Sequence, residues 1–313
     1  MAWFLGFDTS NYKTSAGLYD SQTGQSKNLG RFLEVPEGAL GLRQSDALFQ
    51  HVRHLGQVVE ELMDGLHRQP IAAVGYSSRP RCQQGSYMPC FLAGEMAART
   101  LAGALGVPAF AFSHQQGHIA SALWSADKLH WRQKPFLSWH ISGGTTELLR
   151  VEPEGDGMLH AQIIGGTQDA AAGQIIDRAG VALGLPFPCG AHLDALAGSH
   201  DAIRPFVPKM QGASFSLSGL ENKFRQLLSQ GQPPEEVAAF VLRSVAEVVA
   251  RATQWAQAEY QLSVLFSGGV TASTQMQRRL AACGTVCFAQ GGCNGDNAIG
   301  PALLAALVKG AIS

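Results

Sequence analysis

The stretch WFLGFDTSNYKTSAGLYD, residues 3–20, returns in outline as PFLSWHISGGTTELLRVE, residues 135–152. Each reads as an apolar strand, a small polar turn and a second strand. Setting Phe4-Leu5 on Phe136-Leu137 also sets Ser10 on Ser142 and Thr14 on Thr146. The pattern predicts two halves of similar build, each opening with a hairpin.

Outward from these hairpins the chain alternates. Apolar positions at spacings of three and four predict helices over about 45–67, 90–105, 113–126, 170–184, 235–260 and 296–309. Short apolar strands lie between them: IAAVGYS (71–77), PAFAF (108–112) and LSVLFS (262–267). This alternation predicts an α/β protein with largely buried sheets. The helix at 45–67 carries His51 and His54 and reads as an amphipathic core helix, with packing on a partner helix as the alternative.

Composition narrows the function. The chain has 313 residues, 46% hydrophobic and 15% charged, enough for two domains with their own cores. A formal net charge of −1 carries no global basic field, which argues against a stand-alone nucleic-acid binder but permits a local patch. The basic spots RPRC (79–82) and RRL (278–280) read as solvated surface charge. Cys82, Cys90, Cys189, Cys283, Cys287 and Cys293 form no C-x-x-C pair, as expected of reduced thiols in a cytoplasmic protein. The opening MAWFLGFDTS has no basic region before its apolar residues, and no apolar run approaches the ~20 residues of a membrane helix, so no signal peptide and no membrane association are expected.

Several motifs carry chemistry. In SHQQGHIASAL, His114 and His118 are one helical turn apart, so both imidazoles share a face, as metal ligands would or as two ordinary helix histidines would. The zinc-protease helix H-E-x-x-H is excluded because Gln115 stands where its Glu would be. Three polar turns follow apolar strands: DTSNYKT (8–14), SGGTTE (142–147) and SGGVTAS (267–273). Paired glycines let backbone N–H groups approach an anion, although each alone is also an ordinary turn. Asp169, Gly173 and Asp177 recur every four residues and are expected along one side of a helix, where Asp177 would accept ribose hydroxyls or simply face solvent.

Together LGFDTSNYKTSAGLYD, SHQQGHIASAL, SGGTTEL, DAAAGQIIDRAGVALGLPFPCG, ASFSLSGLENKF, FSGGVTAS and CNGDNAIG resemble the TsaD family, once labelled O-sialoglycoprotein endopeptidase, in its order and over about residues 4–308. The resemblance implies an actin/sugar-kinase-like α/β fold of two similar halves, 1–130 and 131–313, with a nucleotide and metal cleft between them and the last helix, about 296–309, packing back on the first half. It implies transfer of a threonylcarbamoyl group from its adenylate to the adenosine beside the anticodon of tRNA. It also implies one divalent ion, iron or alternatively zinc, held by His114, His118 and Asp296. An adenylate or ATP-type nucleotide would meet Ile141, Ser142, Gly143, Gly144 and Thr145, with Asp177 at the ribose, Gly190 under the backbone and Ser273 beside the base. Family partners are a pseudo-enzyme relative and a small ATPase.

The chain departs from the family at four places. NYKT replaces Cys-Asp-Glu-Thr, so Tyr12 and Lys13 stand for two acids, and Lys13 becomes a candidate anion contact. Thr145 stands for His and Ser273 for Asn, and GDNAIG lacks the glycine after Asp-Asn. These changes open two alternatives: carbamoyl-type transfer to a different acceptor, or a non-catalytic nucleotide-binding scaffold.

Overall fold

The computed structural model describes residues 2–35, 42–64, 70–83, 85–155 and 158–312. The first elements in chain order are β1 (Trp3–Ser10), β2 (Lys13–Asp20), β3 (Ser26–Phe32), α1 (Gln44–Met63), β4 (Ile71–Arg79), α2 (Phe91–Leu105), β5 (Ala109–Ser113) and α3 (His114–Ser125). Then follow β6 (Phe136–Ile141), β7 (Thr146–Glu154), β8 (Met158–Thr167), α4 (Ala172–Ala182), α5 (Gly190–Ala197), β9 (Ser214–Phe215) and α6 (Ser218–Ser229). The chain closes with α7 (Pro234–Tyr260), β10 (Val264–Ser267), α8 (Thr274–Leu280), β11 (Val286–Phe288) and α9 (Ile299–Val308). Residues 65–67 of the helix expected over 45–67 lie outside the described residues.

Two compact units result, one of Met1–Gln133, Pro153–His160 and Gln290–Ser313, the other of Lys134–Glu152 and Ala161–Ala289. The first holds a five-stranded sheet in the order β3-β2-β1-β4-β5, the second a six-stranded sheet in the order β11-β10-β6-β7-β8-β9. Leaving out the short β9, the two orders are the same: third, second, first, fourth and fifth strand of each unit. β1 pairs antiparallel with β2 and parallel with β4, as β6 does with β7 and β10.

In the first unit, seven of the eight residues of β1 are buried, Asp8 among them, and α9 explains why. Gly6 is registered with Gly17 on β2 and Gly75 on β4. This row of glycines lets α9 lie directly on the strands: a Cβ on Gly6 would sit 2.1 Å from the Ala298 carbonyl oxygen, and one on Gly75 2.0 Å from that of Pro301. α9, IGPALLAALV, is apolar all round because it is enclosed on all sides, and burial of Leu303 and Leu304 stabilises it by about 1.5–3 kcal/mol each. The helix starts at Ile299 rather than 296, and just ahead of it the Asn297 Oδ1 accepts the Ile299 and Gly300 N–H groups. Asp296 is left ahead of the helix.

In the second unit, α7 runs 27 residues and packs its apolar side with α4 and α5 into the core around Trp139 and Phe215. The Trp139 indole N–H finds Thr253 Oγ1 at 2.9 Å, so its one polar atom is satisfied in the core. Sequence periodicity alone does not reveal β8, α5 or α6. Four of the ten β8 residues are partly buried, three buried and three exposed, so its pattern is neither a clean alternation nor an apolar run.

Candidate metal and nucleotide sites

The metal-type cluster begins with the start of α3. Ser113 and Gln116 form a reciprocal cap: the Ser113 Oγ accepts the Gln116 N–H at 3.2 Å, and the Gln116 Oε1 accepts the Ser113 N–H at 2.9 Å. This pins the first helical residue at His114 and places His118 one turn above it on the same face. Their Nε2 atoms are 2.9 Å apart. The Asp296 Oδ1 is 3.1 Å from the His118 Nε2 and 3.7 Å from the His114 Nε2. These three residues are, among the described residues, the group of His, Cys, Asp and Glu side chains whose ligand atoms converge.

Asp8 stands behind the cluster. Its Oδ2 is 2.7 Å from the His114 Nδ1, and a carboxylate can only accept, so that nitrogen carries the proton. The His114 Nε2 is thereby aimed at the cluster, an arrangement that metal-binding histidines use. Asp8 is itself held by the Ser77 hydroxyl and the Ser10 N–H. The Ser10 hydroxyl donates to the Asp296 Oδ2 at 3.1 Å, and the Lys13 ammonium donates to the Asp296 carbonyl oxygen at 2.7 Å while lying over the Phe32 ring. β1 and the start of β2 thus supply Asp8, Ser10 and Lys13 to one cluster.

The electrostatics follow. Burial alone would lower the His114 pKa, but the charge and hydrogen bond of Asp8, helped by Asp296, outweigh it and raise it to about 9. Burial would raise that of Asp296, but His118, His114 and Ser10 hold it well below the usual carboxylate range. Two imidazole nitrogens 2.9 Å apart need a cation, a proton or a metal ion, between them. Separations of about 3–3.5 Å are those of ligands sharing one ion at bonds of about 2.0–2.2 Å, so this donor set fits iron or zinc.

The second unit holds a cavity of about 570 Å³. Of the residues singled out in the sequence, Gly143, Asp177, Gly190 and Ser273 line it, together with Gly173. Ile141, Ser142, Gly144 and Thr145 do not. Ile141 ends β6 in the core, and Ser142 and Thr145 close the turn through the Ser142 N–H to the Thr145 carbonyl, 2.8 Å. Gly173 lets α4 start directly on this turn, since a Cβ there would lie 2.6 Å from the Gly143 Cα and the Ser142 carbonyl oxygen. Ile176, Val270 and Leu242 give the cavity apolar walls. The Asp177 Oδ1 accepts the Cys189 N–H at 2.9 Å. The Ser273 hydroxyl is engaged: it donates to Asp194 and accepts the Met276 N–H as the cap of α8.

Asp169 corrects an expectation. α4 carries Gly173 and Asp177 but begins at Ala172, so Asp169 is not on it. Its carboxylate instead accepts the Leu217 and Ser218 N–H groups and the Ser216 hydroxyl, capping the start of α6. Capping has drawn it off the shared face. Asp8, Ser10 and Asp194 are site residues that spacing does not reveal. Asp8 alone left a signal, an acid ending an apolar strand, where a buried carboxylate needs a partner.

The chain matches the family model of TsaD, described as tRNA N6-adenosine threonylcarbamoyltransferase, over residues 41–290. A protein of that description from Ralstonia pickettii (strain 12J) is 31% identical over 298 residues, 90% of this chain and 82% of the relative. This chain belongs to the TsaD family. The family match includes His114, His118 and the cavity residues, while Asp8, Lys13 and Asp296 lie outside 41–290. The fold is shared more widely. The activator of 2-hydroxyisocaproyl-CoA dehydratase from Clostridium difficile, solved with bound ADPNP, superposes with a TM-score of 0.54 at 16% identity, covering 99% of this chain and 95% of that one. A ROK family glucokinase from Streptomyces griseus, solved with glucose and AMPPNP, gives 0.53 at 13% identity, covering 98% and 99%. The TsaD-family chain therefore has the actin/sugar-kinase-like fold. Among its described residues no helix is long and apolar enough to cross a membrane.

Proposed function

We propose that this chain carries out metal-assisted transfer of the threonylcarbamoyl group of threonylcarbamoyl-adenylate to the adenosine beside the anticodon of tRNA. The observation that carries the reading is the convergence of His114, His118 and Asp296, with Asp8 orienting His114, in a chain of the TsaD family. His114 and His118 offer Nε2 lone pairs and Asp296 offers Oδ1, while Ser10 occupies the other carboxylate oxygen and keeps it turned. His114, His118 and Asp296 would hold one iron or zinc ion, which would supply Lewis-acid chemistry for the carbonyl of the donor.

In the second unit the cavity takes the adenosine part of the donor. Asp177 accepts ribose hydroxyls, Gly190 at the start of α5 lets backbone approach, and Ile176 and Val270 flank the base. With its hydroxyl bound to Asp194, Ser273 serves as wall rather than donor. The adenosine N6 attacks the carbamoyl carbon, the bond from that carbon to the phosphate oxygen breaks, AMP leaves with the electron pair, and N6 releases a proton. The Ser10 and Ser273 hydroxyls and the Lys13 ammonium are held in hydrogen bonds to Asp296 and Asp194, and none is assigned as a nucleophile, so transfer is direct, without a covalent enzyme intermediate. The reaction is placed in the cytoplasm, with a pseudo-enzyme relative and a small ATPase as partners.

Lys13 favours a second reading. Its ammonium stands 2.7 Å from the Asp296 carbonyl where the family has an acid, so the site gains a cation and the acceptor of the carbamoyl group changes from tRNA to an anionic small molecule. One assay separates the readings. Purified chain, partner proteins, unmodified tRNA, threonylcarbamoyl-adenylate and iron or zinc are combined, and the digested tRNA is examined by mass spectrometry. Modified adenosine that disappears in His114→Ala establishes the tRNA reading. Adenylate consumed without modified tRNA moves the assignment to the other acceptor. Neither product, beside an active relative, leaves a nucleotide-binding scaffold.

A further inference from the structure

The chain has a net charge of −1, yet one face of the second unit is strongly cationic. Two cavities, of about 320 and 750 Å³, share Pro205, Arg243 and Glu247 and so form a continuous surface. Arg204, Lys209, Arg243, Arg251, Arg278 and Arg279 line it, against the acids Asp201 and Glu247.

The cations are held in place. Arg243, Glu247 and Arg251 recur every four residues on one face of α7. Glu247 binds the Arg251 guanidinium at 2.8 Å and that of Arg279 on α8 at 2.7 Å, and Arg243 donates to the Ile203 carbonyl at 3.3 Å. One acid thus spaces two guanidinium groups without cancelling the excess of positive charge. Arg243 and Arg251 are separated by about 12 Å along the helix axis, further than one phosphate group bridges. A row of guanidinium groups at that spacing suits separate phosphates along one chain rather than a single anion, each taken by N–H donors. The large exposed apolar side chains, such as Phe187 and Trp255, are not among the residues lining either cavity, and the part-buried Phe206 and Val207 lie in a segment flanked by the cations Arg204 and Lys209.

We propose that this face binds the phosphodiester backbone of RNA and docks the tRNA substrate. The proposal rests on the tRNA reading for its ligand, but not on the chemistry of transfer. Phosphate contacts of this type position a nucleic acid without reading its sequence.

The test is equilibrium binding of the full chain to an unmodified tRNA transcript, followed by fluorescence anisotropy over a series of salt concentrations. The variant carries Arg204→Gln, Lys209→Gln and Arg278→Gln, three cations outside the ion pairs of Glu247. Its affinity at low salt is expected to fall roughly 10- to 100-fold, and the slope of log K against log salt to shrink by about two, from the loss of three phosphate contacts. A control with Arg53→Gln, Arg99→Gln and Lys128→Gln removes the same charge from the first unit and is expected to bind as the wild type does. Thermal midpoint and bound metal are measured on both, so that misfolding is recognised and the variant replaced by the single substitutions. A variant that keeps its affinity and slope, a control that loses as much, or a wild type that binds no RNA overturns the proposal. Binding that follows the expected pattern without modified adenosine supports the surface while the transfer reading fails; modification with an unaltered slope in the variant does the reverse.

Discussion

The two hairpins that open the units share one pairing register in sequence and end in different ways. In the first, the ladder runs on to Ser10 and Lys13, leaving a turn of Asn11 and Tyr12. In the second it stops at Ile141 and Thr146, leaving Ser142, Gly143, Gly144 and Thr145. One extra pair of β residues decides what each turn can do. The first places the side chains of Ser10 and Lys13 against Asp296, with Asp8 two residues back holding His114. The second has no side chain at two of its four positions and presents backbone to the start of α4 through Gly173. One copy of the motif works through side chains and the other through main chain.

The largest effect should come from the side-chain copy. His118→Ala removes one of three converging ligands, so bound metal should fall to near zero and transfer by about a thousand-fold or more. Metal analysis of the purified protein checks the first and the mass-spectrometric assay the second; full metal retention would remove His118 from the site. Asp8→Asn keeps the shape but loses the charge that orients His114. Metal affinity should drop about 10- to 100-fold, the cost of a lost supporting carboxylate, as read by competition with a chelator. An unchanged affinity would make Asp8 a structural acid only.

The main-chain copy breaks differently. Gly173→Ala forces a methyl group against the Gly143 Cα and the Ser142 carbonyl, so the helix start must shift. A loss of about 1–3 kcal/mol of stability is expected, with weaker binding of adenine nucleotide and no loss of metal. Calorimetric titration with AMP and metal analysis on one preparation test whether the two turns act independently.

Two smaller effects sharpen the first hairpin. His51 on α1 is buried, with its Nδ1 2.8 Å from the Thr14 hydroxyl just past the turn. Burial lowers its pKa from 6.5 to about 4, against opposing effects of the Ser10 backbone and Asp8 and with help from His54. The unfolded chain then binds more protons between those values. Stability should be intact above pH 6.5 and decline as pH falls towards 4, by on the order of 2 kcal/mol, and His51→Gln should flatten that part of a stability–pH curve. Lys13→Met keeps an unbranched apolar stem but removes the cation that lies over Phe32 and beside Asp296. A rise of several-fold in KM for the acyl donor with little change in kcat is expected if Lys13 binds an anionic part of it. An unchanged KM leaves the lysine to hold the turn.

Much of this was legible in the chain because it is local. The hairpins, the helical turn between His114 and His118 and the apolar α9 follow from spacing within a few turns or strands, and the family motifs run nearly end to end. Asp169 was misread because an N–H cap on a helix almost fifty residues away outweighed a four-residue spacing. Asp194 gave no signal, since its partners Ser273 and Thr274 lie some eighty residues on. The cationic face was equally hidden: RRL at 278–280 is a weak basic spot until α7 and the 204–209 segment bring Arg243, Arg204 and Lys209 beside it.

The sequence by itself determined the fold class, the doubled strand plan, the helical turn between His114 and His118 and the family, since each is written in short-range pattern or in motif order. Only the tertiary structure decided that α9 descends onto the glycine row of β1, β2 and β4, and so brings Asp296 to residues 178 and 182 positions earlier in the chain. It also decided that Asp8 turns His114 and that the two turns close on different residue pairs. Such outcomes depend on close approach between distant backbones, where the absence of a single Cβ or the register of one β pair decides the result, and no periodicity in a sequence records them.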